Sequence, residues 1–303
     1  MRNYFYCLII LGWVIGHSSA IGAAEVTADK IRVVASFSIL GDMAHVLGSD
    51  KVDIVTLVGP DSDGHLYHPT PSDGKTITQA DLVITNGLHF EGWITRLIDS
   101  ANYHGPVVIA TDGVRALQVN GEPDPHAWQS LENARRYANN ITSALIQLQP
   151  ESANYFTQRN QQFAADILKL QQTARQLFNA TPVDQRRVVT SHDAFGYLGQ
   201  EYGIQFMAPL GMSTDSEASA GNVAKLIRQI KSQNIRAVFV ENITDPRLMK
   251  QVARETNARI GGSLYSDALS SASGPAPTYL EMMRHNITLI SAALGASRDK
   301  VSD

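Results

Sequence analysis

Past residue 30 the chain alternates between two textures. Short apolar runs without internal alternation predict strands buried on both faces: Ile31–Phe37 (IRVVASF), Val52–Gly59, Asp81–Gly87 and Pro106–Gly113. Helical spacing falls between them, over residues 39–48, in a stretch opening at Ser72 as N-cap, and over Glu91–Ala101. The same texture returns later. Arg186–His192, Ile204–Pro209, Arg236–Asn242 and Ala258–Tyr265 predict strands, and Ala194–Tyr202, Asn222–Gln233 and Pro246–Asn257 predict helices. The last of these has Asp245 as N-cap and Pro246 at the first helical position. A closing helix is expected over Thr278–Leu294.

The middle of the chain reads differently. Ala134, Tyr137, Ala138, Ile141, Leu145 and Leu148 share one helical face behind Ser130, a good N-cap. After Pro150, Phe156, Phe163, Ile167, Leu170, Ala174 and Leu177 recur at steps of seven, four and three. That is one amphipathic helix of nearly thirty residues, about 40 Å long. It predicts a rigid strut between lobes, with a helical hairpin inside one domain as the rival. The fold class expected is α/β. The divisions are a first α/β lobe over 25–148, a linking helix over 149–180 and a second α/β lobe over 181–303.

Residues 1–24 stand apart as a secretory signal peptide. Arg2 precedes an apolar run from about Tyr4 to Gly16, and small residues follow to Ala24, with cleavage expected after Ala20 or Ala24. The run is shorter than the ~20 residues a membrane span needs. Cys7 lies inside it with no small residue just ahead, so no lipid anchor is expected. It is the single cysteine, so any metal site in the exported chain must use nitrogen and oxygen. With 303 residues, 44% hydrophobic and 18% charged, the chain is long enough for two lobes. A net charge of −4 gives nucleic acid no footing.

In open parallel sheets ligands bind off the carboxyl ends of strands. His65 and His68 follow Val52–Gly59, and His89 follows Asp81–Gly87. His126 follows Pro106–Gly113 after a polar loop. His192 ends the strand from Arg186, and Asp267 follows Ala258–Tyr265. Both halves thus offer imidazole or carboxylate from their carboxyl edges, and these suit a divalent first-row metal. Against this, each histidine alone is readily a surface group, and Asp267 can be a cap for a short helix over 268–272. His68 precedes Pro69, which forces extended backbone and turns it from His65.

Four segments, HLYHPTPSD, DPHAW, SHDAFGYLGQEYG and YSDALS, resemble the metal-contact segments of the cluster A-I solute-binding proteins, the extracytoplasmic receptors of ABC importers for zinc, manganese or iron. TNGLHFEGW and STDSEASAG resemble family segments too, and the likeness runs from Ile31 to Leu294. The resemblance implies two lobes, each with a four-stranded parallel sheet flanked by helices, joined by one long rigid helix. It implies His65, His126, His192 and Asp267 as metal ligands. His68 then stands where the family often has glutamate or glutamine. It implies as partner an ABC permease in the inner membrane, a periplasmic location, a monomer, and binding rather than catalysis.

Three imidazoles and a carboxylate suit tetrahedral Zn2+, while Mn2+ and Fe2+ are the alternatives if Asp267 binds through both oxygens. One departure weakens zinc: the loop before His126, VRALQVNGEPDP, lacks the histidines many zinc receptors of the family carry there. A secreted metal-dependent hydrolase is the rival reading, with Glu241 or Glu217 as a base. Both glutamates read more simply as surface ion pairs or helix caps. An adhesion protein on the same fold is the third.

Overall fold

The computed structural model describes Met1 and residues 29–295. The signal peptide, its cleavage sites at Ala20 and Ala24, and Cys7 lie outside the described residues.

In the first half, β1 (Ile31–Phe37), α1 (Ser38–Gly48), β2 (Val52–Val58), α2 (Pro71–Thr78), β3 (Leu82–Thr85), α3 (Ile94–Ser100) and β4 (Val107–Ile109) form a parallel sheet and its crossovers, in the order β2-β1-β3-β4. Every residue of β1 is buried except Arg32, whose guanidinium pairs with Asp81 at 2.7 Å. That burial is why the run shows no alternation. A small hairpin follows, β5 (Gln118–Val119) and β6 (Glu122–Pro123), too short to have left a sequence signal. Then come α4 (Leu131–Leu148), capped by the Ser130 hydroxyl, and α5 (Ala153–Asn179).

The second half repeats the plan. β7 (Arg187–Val189), α6 (Gly196–Tyr202), β8 (Gln205–Met207), α7 (Ala220–Ser232), β9 (Ala237–Glu241), α8 (Arg247–Thr256) and β10 (Arg259–Leu264) give a parallel sheet in the order β10-β9-β7-β8, and α9 (Tyr279–Gly295) closes the chain. Each sheet reverses its winding at its first strand, so each has a switch-point crevice at its carboxyl edge.

The long helix spans 27 residues and packs against α1, α4 and α9. It is both the link between lobes and one arm of a hairpin with α4. Its buried face holds Phe156, Phe163, Ile167, Leu170, Ala174 and Phe178, and one apolar core continues through it into both halves. Leu177, placed on that face by spacing, is exposed, and Phe178 takes its position because the helix keeps steps of four after Leu170.

Several ends differ from expectation. The strands stop short, at Val58, Thr85, Ile109, Val189, Met207, Glu241 and Leu264, because the residues beyond leave the ladder to build loops. Helix α2 is capped by Thr70, not Ser72: Thr70 and Asp73 form a capping box with Pro71 at the first helical position. Helix α8 begins at Arg247, yet Asp245 still receives the Arg247 N–H at 2.9 Å. No helix forms over 268–272, so the Asp267 carboxylate caps nothing there. Among the described residues, no helix is long and apolar enough to cross a membrane.

Phe163 is buried and its ring meets Tyr279 of α9 at 6.2 Å. Phe163→Ala is expected to lower unfolding free energy by about 3–5 kcal/mol. Leu168→Ala, on the exposed face of the same helix, is expected to cost under about 1 kcal/mol. Urea denaturation of the metal-free protein checks both.

Candidate metal centre

Four loops at the carboxyl edges meet between the lobes. The loop after β2 carries His65, the turn before α4 carries His126, the loop after β7 carries His192, and the segment after β10 carries Asp267. One donor atom from each lies within 4.8 Å of every other. The Asp267 oxygens stand 3.4 Å from His65 Nε2, 3.7 Å from His126 Nε2 and 3.2 Å from His192 Nε2. None of these five atoms has a hydrogen-bond partner, although all are buried. Orphaned polar atoms in a dry site cost free energy unless something binds them. A tetrahedral ion with bonds of about 2.0–2.1 Å has donor–donor edges of about 3.3–3.4 Å, close to the 3.4 and 3.2 Å that separate Asp267 Oδ2 from His65 Nε2 and His192 Nε2.

Local sequence aims each ring. Asp63 and Asp124 each lie two residues before a histidine, and each Oδ1 accepts the backbone N–H of that histidine, at 2.8 Å and 3.0 Å. Asp124 Oδ1 also meets His126 Nδ1 at 2.8 Å. Glu241, the last residue of β9, accepts the N–H groups of Ser191 and His192 at 2.7 and 3.0 Å and faces His192 Nδ1 at 2.5 Å. With Nδ1 occupied, both rings present Nε2 to the centre, the usual outer-shell arrangement of a histidine ligand. Phe90 stacks edge-on against His65 at 4.7 Å and Trp128 against His126 at 5.3 Å. Gly64 lets the loop approach, since a Cβ there would sit 2.8 Å from the Phe90 ring. Gly87, Leu88 and His89 are all left-handed, with φ of 86°, 52° and 65°, and this turn brings Phe90 inward.

The lobes hold one another through the same segments. The Ser266 carbonyl, just ahead of Asp267, accepts from Trp128 Nε1 at 2.8 Å and Gln129 Nε2 at 2.7 Å. The Tyr279 hydroxyl donates to the Trp128 carbonyl at 2.7 Å.

The electrostatics favour a cation. Burial opposes charge on His192, but the Glu241 and Asp267 carboxylates outweigh it and hold the imidazole well above its ordinary range. Burial likewise penalises the Asp267 carboxylate, yet His192 and His126 hold it well below the usual carboxylate range.

Of the residues singled out in the sequence, the structure brings together His65, His126, His192 and Asp267. His68 and His89 are exposed and stand outside the group. Glu217 is exposed. Glu241 is not a surface group: it is 3% exposed and orients His192. Its signal was a glutamate closing the apolar run AVFVE. Asp124 was missed as well, although the shared spacing of DGH and DPH was there to read.

Glu241→Gln leaves the volume of the side chain and removes the charge behind His192. It is expected to weaken metal affinity by about 10–100-fold, read by competition with a chromogenic chelator.

A family profile described as zinc-uptake complex component A, periplasmic, matches residues 33–293. The manganese ABC transporter substrate-binding lipoprotein PsaA of Streptococcus pneumoniae is 30% identical over 283 residues, 90% of this chain and 91% of the relative. The iron-binding protein YfeA of Yersinia pestis is 32% identical over 274 residues, 89% and 88% of the two chains. Among solved structures, the periplasmic zinc binding protein TroA from Treponema pallidum is similar with a TM-score of 0.84 and 31% identity, covering 88% of this chain and 99% of that one. A Mn-bound periplasmic metal binding protein from Candidatus Liberibacter asiaticus gives a TM-score of 0.80 at 34% identity, covering 88% and 100%. A profile matched over nearly all the described residues, on the two-lobed fold built above, means that this chain belongs to the ZnuA family.

Proposed function

We propose that the protein is the substrate-binding receptor of a metal ABC importer, taking one divalent transition-metal ion, zinc foremost, in the periplasm and passing it to a membrane permease. The observation that carries the reading is the set of five buried, unpartnered donor atoms converging from His65, His126, His192 and Asp267. These four residues are the proposed ligands, two from each lobe, with Asp124 and Glu241 fixing two of the rings. Similar proteins named for manganese, iron and zinc support the receptor role without choosing the metal.

Three nitrogens and one carboxylate favour zinc, because such a nitrogen-rich shell binds zinc more tightly than manganese or ferrous iron. The 3.4 and 3.2 Å from Asp267 Oδ2 to His65 Nε2 and His192 Nε2 match two edges of a tetrahedron. A second reading, manganese or ferrous iron, draws on the pose of Asp267. Its Oδ1 is paired with His126 and its Oδ2 with His65 and His192, so both oxygens face the centre and can give a fifth bond. Four protein donors leave a tetrahedral ion no position for water, which favours holding over hydrolysis. Because the lobes share the α5 core and the Trp128–Ser266 bond, closure around the ion is proposed to be small.

Two measurements test this. Protein purified from defined medium should carry one zinc per chain, and His192→Ala should lose more than about a hundredfold in affinity, read by the same chelator competition. Binding should also be coupled to protons. His192 is held above its ordinary range by the Glu241 and Asp267 carboxylates, so without an ion it keeps its proton to higher pH than a free imidazole, and an ion bound at Nε2 must displace that proton. Affinity should therefore fall as pH drops from about 7.5 to about 5.5, by up to about tenfold per unit for each proton displaced. Titration calorimetry in buffers of different ionisation heat reads the proton directly.

A further inference from the structure

The side chains of His126, His192 and Asp267 have no exposure, whereas that of His65 keeps 6%. His65 is thus the one proposed ligand whose side chain reaches solvent at all, although its Nε2 is buried. Asp63, two residues before His65, and Leu66, the residue after it, line a cavity of about 780 Å³. The facing walls come from the second lobe: Ser191 and Leu210, the loop over 214–218 ahead of α7, and the turn over 243–245 ahead of α8. Ser191, next to His192, lines the same cavity with its buried hydroxyl unpartnered.

One carboxylate ties the two walls. Asp63 Oδ1 accepts the His65 N–H at 2.8 Å, and Asp63 Oδ2 accepts the Thr214 hydroxyl at 2.6 Å. The backbone of a proposed ligand and the opposite lobe are thus held by two oxygens of the same group.

We propose that an ion comes and goes beside His65, that Asp63 and Thr214 form the gate of this route, and that the Thr214 hydroxyl sets how long a bound ion stays. The inference rests on the receptor reading above. A hydroxyl bonded to a carboxylate is among the stronger hydrogen bonds. Breaking it frees the His65 end of the loop from the Thr214 wall and leaves all the donor atoms of the centre intact. Asp61 supplies the contrast. Its N–H donates to the Leu269 carbonyl at 2.8 Å, and its carboxylate accepts from Asn242 Nδ2 at 3.0 Å and the Ser271 N–H at 3.1 Å. Three bonds and a left-handed φ of 52° pin the start of the loop beside the segment that bears Asp267. The loop is fixed at Asp61 and latched at Asp63. The Thr214 hydroxyl bonds Asp63 and not a ligand side chain, so it is a positioning residue.

The test is stopped-flow release of zinc from the loaded full chain into excess chelator. Thr214→Val keeps the shape and loses the hydroxyl. It is expected to release zinc roughly tenfold faster than wild type, the worth of one hydrogen bond to a charged group, with stoichiometry unchanged. Thr214→Ala, a second variant without the hydroxyl, should match it, and Thr214→Ser, which keeps the hydroxyl, should release at the wild-type rate. Release from Thr214→Val and Thr214→Ala within about twofold of wild type, on proteins that still bind one zinc, overturns the gate alone. So does a Thr214→Ser protein as fast as Thr214→Val. A wild-type chain that takes up no stoichiometric zinc overturns the receptor reading, and the gate with it.

Discussion

A carboxylate sealed from water and given no hydrogen bond is the constraint on which the rest depends. Asp267 is 1% exposed, and both of its oxygens lack partners. Burying an unpaired charge costs several kcal/mol. What offsets that cost is the ring of three Nε2 atoms around it, and a cation that all four groups can share. Two of those rings come from the first lobe and the third, like Asp267, from the second. The site therefore exists only when the lobes are held in register. The shared core around α5 and the grip of Trp128 and Gln129 on the Ser266 carbonyl keep that register.

The two lobes solve the same local problem alike. A strand that stops at a switch point leaves backbone N–H groups pointing into a crevice, and each must be satisfied. In the second lobe Glu241 takes the N–H groups of Ser191 and His192. In the first, Glu91 takes those of Asn86 and Gly87 and the Ser36 hydroxyl. Burial pushes the Glu91 carboxyl up, while the Asn86 N–H and Ser36 hydroxyl pull it back. The difference lies in what else is near. Glu241 has a free oxygen that reaches His192 Nδ1, so a structural cap also becomes the support of a ring in the candidate centre. Glu91 positions the turn that places Phe90 against His65, a supporting role one step further out.

Much of the architecture was legible because buried parallel strands must be apolar on both faces, and one long helix must show its stripe. The runs Ile31–Phe37 and Arg236–Asn242 and the stripe from Phe156 to Ala174 needed no tertiary knowledge. Element ends were less so. Thr70 displaced Ser72 as a cap because Asp73 could reciprocate, a pairing that depends on where the chain leaves Pro69. At the site, the strand-end rule reduced the histidines to a short set, and the family resemblance then separated His65 from His68. The outer partners escaped notice for a physical reason. A glutamate's worth at position 241 depends on a histidine 49 residues away across the sheet, and nothing along the chain reports that distance.

X-ray absorption at the zinc edge of the loaded protein tests the central claim most directly. Four nitrogen or oxygen neighbours at about 2.0–2.1 Å, with the outer-shell scattering of three imidazoles, is the expected result. An oxygen-only shell of six neighbours without imidazole scattering would show that the ion rests elsewhere, and would contradict the convergence of His65, His126, His192 and Asp267 on one ion.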